Sequence, residues 1–149
     1  PARPKVAAYP FTTLSPALGT AVHQGKRIVI ADIPGLIQDA HAGVGLGTRF
    51  LRHIQRTRAL VYLVSADRED PFKPWKDFET TRNEIGLHDE LLLQKRSLLV
   101  LNKIDLLTDA EIRANVEEIQ KHGWNPVAIS AKTKRHIKLF WRALFKVFS

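Results

Sequence analysis

The sequence contains no cysteine among its 149 residues, which excludes disulfide bonds and cysteine-ligated metal sites and favours a reducing compartment. It also contains no methionine, from which we expect a processed product or an interior portion of a longer protein. Apolar runs such as Ala59–Val64 are far too short to span a bilayer, and nothing at the N-terminus resembles a signal peptide. We therefore expect a globular domain with no membrane span.

Acidic residues are scarce relative to basic ones. The chain has 15 Asp and Glu against 23 Lys and Arg, a formal net charge of +8, which favours an anionic partner such as nucleic acid or membrane. From residue 130 onward there is no acidic residue, and RNA phosphate is the natural partner of such a strip, with a solvated helix face as the alternative. The six basic residues of this strip are Lys132, Lys134, Arg135, Lys138, Arg142 and Lys146.

Short apolar runs alternate with helical patterns along the chain, which predicts an α/β domain with a mainly parallel sheet. Two of the runs flank Gln24-Gly25-Lys26 and indicate a hairpin, while the others are near-continuous apolar segments, as expected for strands covered on both faces. No repeat or domain boundary interrupts residues 1–149. The predicted strands are Leu18–His23, Arg27–Asp32, Ala59–Ser65, Leu98–Asn102 and Pro126–Ile129.

Four segments have helical periodicity. The best marked follows Thr108, which can form a capping box with Glu111, and Gly123 suits its end. A weaker pattern is interrupted by Gly86, and Asp67–Trp75, with two prolines, is predicted to be a long loop. The predicted helices are Thr48–Gln55, Phe78–Gln94, Asp109–His122 and Lys134–Phe148.

The most specific short motif is Asn102-Lys103-Ile104-Asp105, which follows a predicted strand at the carboxyl end, where ligands bind in open α/β sheets. Asp105 there can accept hydrogen bonds from guanine N1–H and the exocyclic amine, whereas adenine would leave its carboxylate unpaired. The Lys103 stem can lie along the base, and Asn102 can tie the loop together. The motif therefore predicts a guanine site.

Three weaker motifs stand in the right order around it. Asp32 ends a predicted strand and can hold a Mg²⁺-bound water, while Gly35 lets a backbone N–H approach a terminal phosphate. Thr12 or Thr13 can ligate Mg²⁺ through a hydroxyl, and a backbone N–H of Ser130-Ala131-Lys132 can contact guanine O6. Each alone is typical of an ordinary turn, but their order beside strand ends indicates a guanine-nucleotide site.

Longer segments resemble the two switch regions of the Obg family of translation-associated GTPases, and the resemblance covers essentially the whole chain. The neighbouring YchF family has a similar first switch, but Pro34 and Arg52-His53 favour Obg. The segments that carry the resemblance are Tyr9-Pro10-Phe11-Thr12-Thr13-Leu14, Leu18-Gly19, Asp32-Ile33-Pro34-Gly35-Leu36-Ile37, Ala40-His41, Gly43, Gly45-Leu46-Gly47 and Phe50-Leu51-Arg52-His53-Ile54.

The resemblance implies a P-loop (Ras-like) GTPase fold that binds GTP or GDP with Mg²⁺. Thr13, or less favourably Thr12, would be the switch threonine on Mg²⁺, and Asp32 would hold the ion through water. Gly35 would sense the γ-phosphate, which makes Thr13 and Gly35 the candidate catalytic residues. The candidate guanine-reading residues are Asn102, Lys103 and Asp105, supported by Ser130, Ala131 and Lys132.

Two departures from the GTPase pattern matter. Leu36 stands where Ras-like enzymes have the glutamine that orients the attacking water, as is usual in the Obg family, so intrinsic hydrolysis is expected to be slow. The glycine-rich phosphate loop is absent from residues 1–149, and the family pattern places it, with its central strand, before residue 1. Without that strand the sheet is expected to have a gap, and a stable fold from residues 1–149 alone is in doubt.

The sequence thus predicts part of an Obg-type GTP-binding domain, residues 1–149, from a slow GTPase switch in assembly of the large ribosomal subunit. Its expected partners are rRNA and other assembly factors, bound as a monomer. The alternative is a non-catalytic GTPase-like subunit that binds rRNA or has a structural role. We expect the mitochondrial (organellar) matrix, with bacterial cytoplasm as the alternative.

Overall fold

The computed structural model describes residues 17–33 and 52–147. The predicted site residues Thr12, Thr13 and Gly35, and most of the second switch, lie outside these residues. Residues 52–55 are helical, which agrees with the end of the predicted helix Thr48–Gln55. In chain order the described elements form an antiparallel hairpin and then a three-stranded parallel sheet with its helices.

The hairpin consists of β1 (Ala17–His23) and β2 (Lys26–Asp32), paired in antiparallel register from Ala17 opposite Asp32 to His23 opposite Lys26. The two turn residues, Gln24 and Gly25, both have positive φ, 50° and 76°. That backbone is the two-residue turn whose twist matches the twist of the flanking strands. The predicted hairpin is therefore confirmed.

The parallel sheet has the order β3-β4-β5, with β3 at Ala59–Ser65, β4 at Arg96–Asn102 and β5 at Val127–Ala128. Residues 98–101 of β4 are all buried because helices cover both faces of this central strand. The predicted strands are confirmed, although β5 pairs over only two residues. The carboxyl ends of β3 and β4 coincide, since Ser65 pairs with Asn102.

Helix α1 spans Lys73–His88 and begins five residues before its predicted start. The predicted loop Asp67–Trp75 was wrong at its end because Pro74 lies in the first turn of the helix, where the missing N–H has no intrahelical role. Gly86 does not interrupt the helix either. A Cβ at Gly86 would lie 2.8 Å from Leu93 Cδ1, so glycine lets the following 3₁₀-helix, Glu90–Gln94, pack against α1.

Helix α2 spans Asp109–Gln120, and helix α3 spans Ile137–Val147. Both Thr108–Glu111 hydrogen bonds of the predicted capping box are present. Helix α3 begins three residues after its predicted start because Lys134 and His136 have φ of 64° and 60°, which are not helical values. Residues 131–136 instead form a turn that leads from β5 to the helix.

Two apolar clusters lie on opposite faces of the parallel sheet. Leu99 and Leu101 of β4 point towards α1 and α2 in the larger cluster, and Leu98 and Val100 point towards α3 in the smaller one. Ile28 of β2 packs against the smaller cluster. The fold is an α/β arrangement of a parallel sheet flanked by helices, which agrees with the predicted P-loop GTPase fold.

In the described residues no strand joins the hairpin to the parallel sheet. The β1–β2 ladder and the β3–β4–β5 ladder are separate, and the edge of β3 away from β4 has no strand partner there. The separation agrees with the gap expected where the family pattern places a central strand. That residues 1–149 form part of one GTP-binding domain stays a prediction.

Candidate functional site

The loop after β4 holds the predicted Asn102–Asp105 motif in a bent backbone. Lys103 has φ 70° and ψ 30°, a left-handed conformation that is uncommon for a residue with a side chain. A short 3₁₀-helix, Ile104–Leu106, follows, with Ile104 fully buried beneath it. Because Ile104 anchors the turn, its neighbours Lys103 and Asp105 are exposed at the carboxyl edge of the sheet.

The backbone of this loop is joined to the end of β5. Ile104 donates its N–H to the Ile129 carbonyl at 3.2 Å, and Ile129 donates to the Leu101 carbonyl at 2.8 Å. These bonds continue the β4–β5 pairing beyond the two residues of β5. They place Ser130, the next residue along, directly beside the motif.

Ser130 is fully buried and is the hydrogen-bonding centre of the site. Its Oγ donates to Asp105 Oδ1 at 2.8 Å and accepts from the Thr133 N–H at 3.1 Å. Asn102 Oδ1 accepts the Ala131 N–H at 3.0 Å, which is a second link between the two loops. The structure therefore brings together four residues that the sequence singled out from segments 25 or more residues apart.

This arrangement leaves an oriented carboxylate at the surface. Asp105 is exposed while Ser130 holds one of its oxygens, so the carboxylate keeps acceptor capacity for a ligand in a fixed direction. Two adjacent donors, as on the N1 and 2-amino edge of guanine, match such a carboxylate. Lys103, Ala131 and Lys132 are exposed in the same two loops as Asp105. Their position would allow them to contact the base.

The left-handed backbone at Lys103 is a feature that sequence reasoning missed. Lysine in this conformation costs about 1 kcal/mol or more, and such strain concentrates at binding sites. No residue type marked the position in advance, since glycine or asparagine is the usual signal for positive φ. The conformation turns the chain between Asn102, which faces Ala131, and Asp105, which faces Ser130.

The predicted metal ligand Asp32 is the last residue of β2 and is exposed. Within residues 17–33 and 52–147, no group of three or more His, Asp or Glu residues could hold a metal ion by itself. A single carboxylate together with nucleotide phosphates and water is a common Mg²⁺ set, so Asp32 fits the predicted role without such a cluster. Thr13 and Gly35 keep their predicted roles as predictions.

Among the described residues, no helix is both long enough and apolar enough to cross a bilayer.

Comparison of the sequence with known proteins also indicates a GTPase. The family described as "50S ribosome-binding GTPase" matches residues 1–103, more than half of the chain. The chain belongs to this GTPase family. The match ends at Lys103, inside the Asn102–Asp105 motif, so the structural contacts of Asp105 and Ser130 are independent of it.

Curated proteins named GTPase Obg are similar to this GTPase chain over most of its length. The protein from Nitratidesulfovibrio vulgaris (strain DP4) is 47% identical over 133 residues, covering 87% of this chain and 36% of the relative. The Thermoanaerobacter sp. (strain X514) protein is 47% identical over 134 residues, covering 89% and 32%. The Lawsonia intracellularis protein is 42% identical over 151 residues, covering 99% and 42%. The chain thus spans well under half of each relative.

The resemblance to the Obg family is confirmed by these matches. Membership of a GTPase family supports a GTP-binding protein. The roles predicted for individual residues, the Mg²⁺ ion and the cellular role stay predictions.

Proposed function

We propose that this GTPase-family chain is part of a GTP-operated switch that hydrolyses GTP slowly and acts in assembly of the large ribosomal subunit. The observation that carries the proposal is the Asp105 carboxylate, held 2.8 Å from the buried hydroxyl of Ser130 at the carboxyl edge of the sheet. A buried hydroxyl that orients an exposed carboxylate is typical of a site that selects one edge of a ligand.

In this proposal Asp105 reads guanine, and Asn102 supports it by fixing the second loop through Ala131. Lys103 and Lys132 flank the base, and their positive charges face an anionic nucleotide. Adenine offers neither donor at the required positions, so ATP would leave the carboxylate without partners. Discrimination between the two nucleotides therefore follows from Asp105.

The chemical step depends on residues at the two switches. Asp32 at the end of β2, with Thr13, would hold Mg²⁺ on the phosphates, and Gly35 would bring a backbone N–H to the γ-phosphate. The ion would neutralise charge that develops on the phosphates. Leu36 has no polar atom with which to orient water, so hydrolysis should be slow unless another group supplies that function.

The ribosomal role is supported by the family description and by the charge of the chain.

A second candidate is a non-catalytic GTPase-like subunit that binds rRNA. It is favoured by one observation, that residues 130–149 carry six Lys and Arg and no Asp or Glu. A location in the mitochondrial matrix is also a proposal, which imaging of the tagged full-length protein would test.

The two candidates are separated by nucleotide titration. We would titrate the full-length protein with fluorescent GTP and ATP in the presence and absence of Mg²⁺, alongside Asp105→Asn. The matched control is Asp109→Asn, since Asp109 is an exposed carboxylate four residues away that pairs with Arg135 instead.

The switch proposal expects Mg²⁺-dependent binding of GTP, at least about 100-fold tighter than ATP, because an unpaired buried or oriented polar group discriminates strongly. Asp105→Asn should lose GTP and gain xanthosine triphosphate, because the amide offers one acceptor and one donor that match the N1–H and C2 carbonyl of xanthine. Asp109→Asn should bind as the unsubstituted protein does. If the folded protein binds neither nucleotide, the non-catalytic rRNA-binding subunit is the better supported of the two candidate functions.

A further inference from the structure

Positive charge is concentrated at the end of the described chain. Residues 130–149 carry six Lys and Arg and no Asp or Glu, which leaves 17 basic against 15 acidic residues for the first 129. Six of the eight net positive charges therefore come from one short segment. This segment contains the turn beside the guanine loop and helix α3 (Ile137–Val147).

Lys138, Arg142 and Lys146 lie four residues apart on α3, and Arg135 lies in the turn just before it. We call these four residues the α3 basic stripe. Residues four apart in a helix lie on the same side and are separated by about 6 Å along the axis. All four side chains belong to exposed residues. The stripe therefore presents three evenly spaced cations along α3, preceded by Arg135 in the turn.

Among residues 17–33 and 52–147, acidic side chains leave most of this stripe unpaired. Arg135 lies 3.4 Å from Asp109, which is itself highly exposed, and that is the stripe's one ion pair within the described residues. By contrast Lys73 and Lys121, on the helical layer across the sheet, pair with Asp77 and Glu118. The cations of α3 are thus available to an external anion.

The opposite side of α3 is already used for packing. Leu144 and Phe145 are buried, and Ile137, Phe140 and Trp141 pack against the cluster on β4. An amphipathic helix that binds a membrane inserts its apolar side between lipids. Because that side of α3 faces the sheet instead, the charged stripe fits a polar anionic surface better than a bilayer.

We propose that the α3 basic stripe binds the phosphate backbone of RNA. The proposal deepens the proposed function and rests on it, and on the ribosome-binding description of the family, for the choice of RNA among polyanions. Exposed cations spaced along a helix contact phosphates and by themselves carry no base specificity. We therefore expect binding that is strong at low salt and insensitive to sequence.

The stripe begins next to the nucleotide site. The Ser130 N–H donates to the Arg135 carbonyl at 3.1 Å, so the turn that carries the first stripe residue is attached to the residue that orients Asp105. RNA lying along α3 would have one end beside the guanine base. Lys132 and Lys134 in the same turn extend the positive surface to that point.

The test compares two triple variants of the full-length protein. The stripe variant is Lys138→Gln, Arg142→Gln and Lys146→Gln, which spares the residues proposed to bind nucleotide and leaves the Arg135–Asp109 pair. The control is Lys76→Gln, Arg113→Gln and Lys121→Gln, which removes the same charge from exposed positions associated with α1 and α2 on the other face. Binding of a fluorescein-labelled 20-nucleotide RNA is measured by anisotropy from 50 to 300 mM KCl, with GTP titration and thermal melting in parallel.

We expect the stripe variant to bind RNA about tenfold more weakly at 100 mM salt, with the slope of log affinity against log salt reduced by about 2, or about 0.7 per lost phosphate contact. The control variant should stay within about twofold. Equal losses in both variants, or no RNA binding at all, would overturn the proposal. So would a stripe-dependent loss of binding to vesicles containing 30% phosphatidylserine with RNA binding unchanged.

The same measurements keep this inference separate from the proposed function. If the protein selects GTP but the stripe variant binds RNA as tightly as the unsubstituted protein, this inference is overturned and the proposed function is not. If the folded protein binds no guanine nucleotide but its RNA binding still depends on the stripe, the GTP switch is overturned and the RNA-binding surface is supported.

Discussion

Ser130 illustrates how one small residue can set the direction of a binding group. It is fully buried, its hydroxyl donates to Asp105, and the same oxygen accepts from the Thr133 backbone. The Thr133 contact fixes the hydroxyl, and the hydroxyl fixes the carboxylate. In the proposed site Ser130 is therefore a positioning residue that need not touch the nucleotide with its side chain.

We predict that Ser130→Ala weakens GTP binding about tenfold, because the carboxylate must then be ordered when the base binds. The loss should be smaller than that of Asp105→Asn, and binding should remain selective for guanine. Fluorescent-nucleotide titration of both variants measures this. Thr133→Ala is the matched control, since it removes a hydroxyl from the same exposed turn while keeping the backbone N–H that bonds Ser130. Equal effects of the two substitutions would contradict the positioning role.

The site residues could be predicted from the sequence as chemical types at strand ends, but their mutual contacts could not. Asn102 and Ala131 are 29 positions apart, and their hydrogen bond depends on how β4 and β5 align. The left-handed Lys103 was also invisible, because its conformation is imposed by neighbours such as the buried Ile104. Local chemistry was readable, whereas tertiary geometry was not.

At the level of elements, the accuracy of each predicted helix start depended on whether the sequence carries a local signal for it. The capping box at Thr108 and Glu111 gave the start of α2 correctly because both of its hydrogen bonds are local. The predicted start of α1 is wrong because Pro74, a residue type common in loops, also suits the first turn of a helix. The start of α3 was misplaced for the opposite reason, since Lys134 and His136 adopt positive φ without a sequence signal.

The capping box makes the stability of α2 depend on pH. The Thr108 backbone N–H donates to the Glu111 carboxylate, and this bond, ahead of the nearby Arg68, holds the pKa of Glu111 below its usual 4.5. A lowered pKa in the folded state means that the contribution is complete above pH 4.5 and is lost as pH falls through the folded value. We predict that Glu111→Gln lowers the urea midpoint at pH 7, and that this difference shrinks as pH drops below 4.5.

Tryptophan fluorescence during urea unfolding, from pH 7 to pH 3, would measure the difference. Thr108→Ala should lower stability by about 1 kcal/mol, as loss of an N-cap side chain usually does, and serves as the positive reference. Glu117→Gln is the matched control because Glu117 is exposed on the same helix and outside the box. A Glu111→Gln difference that stays constant down to pH 3 would show that the carboxylate charge is not what stabilises the cap.

At the scale of the whole molecule, the hairpin and the parallel sheet are not joined by any strand in the part of the chain that the structure describes. Alternation along β3 buries Leu60, Tyr62 and Val64 against the helices but leaves Val61 and Leu63 exposed on the other face. Strand positions were readable from apolar runs, and the expected gap followed from the family pattern. The pairing of strand edges could not be predicted, because no local pattern in the sequence specifies which edges meet.

An unpaired edge with apolar side chains favours self-association, because its N–H and carbonyl groups can pair with another chain while the side chains lose contact with water. We predict that the 149-residue chain alone self-associates above about 10 μM, a concentration range in which exposed strand edges commonly cause association. Leu63→Lys should reduce this self-association because it places a charge on the exposed face of β3. Leu91→Lys is the matched control, since Leu91 is 66% exposed against 61% for Leu63 but lies in the 3₁₀-helix away from the sheet edge. Sedimentation velocity should show the monomer fraction rising for Leu63→Lys only. An equal rise for both variants would mean that general surface hydrophobicity, rather than the open edge of β3, drives association.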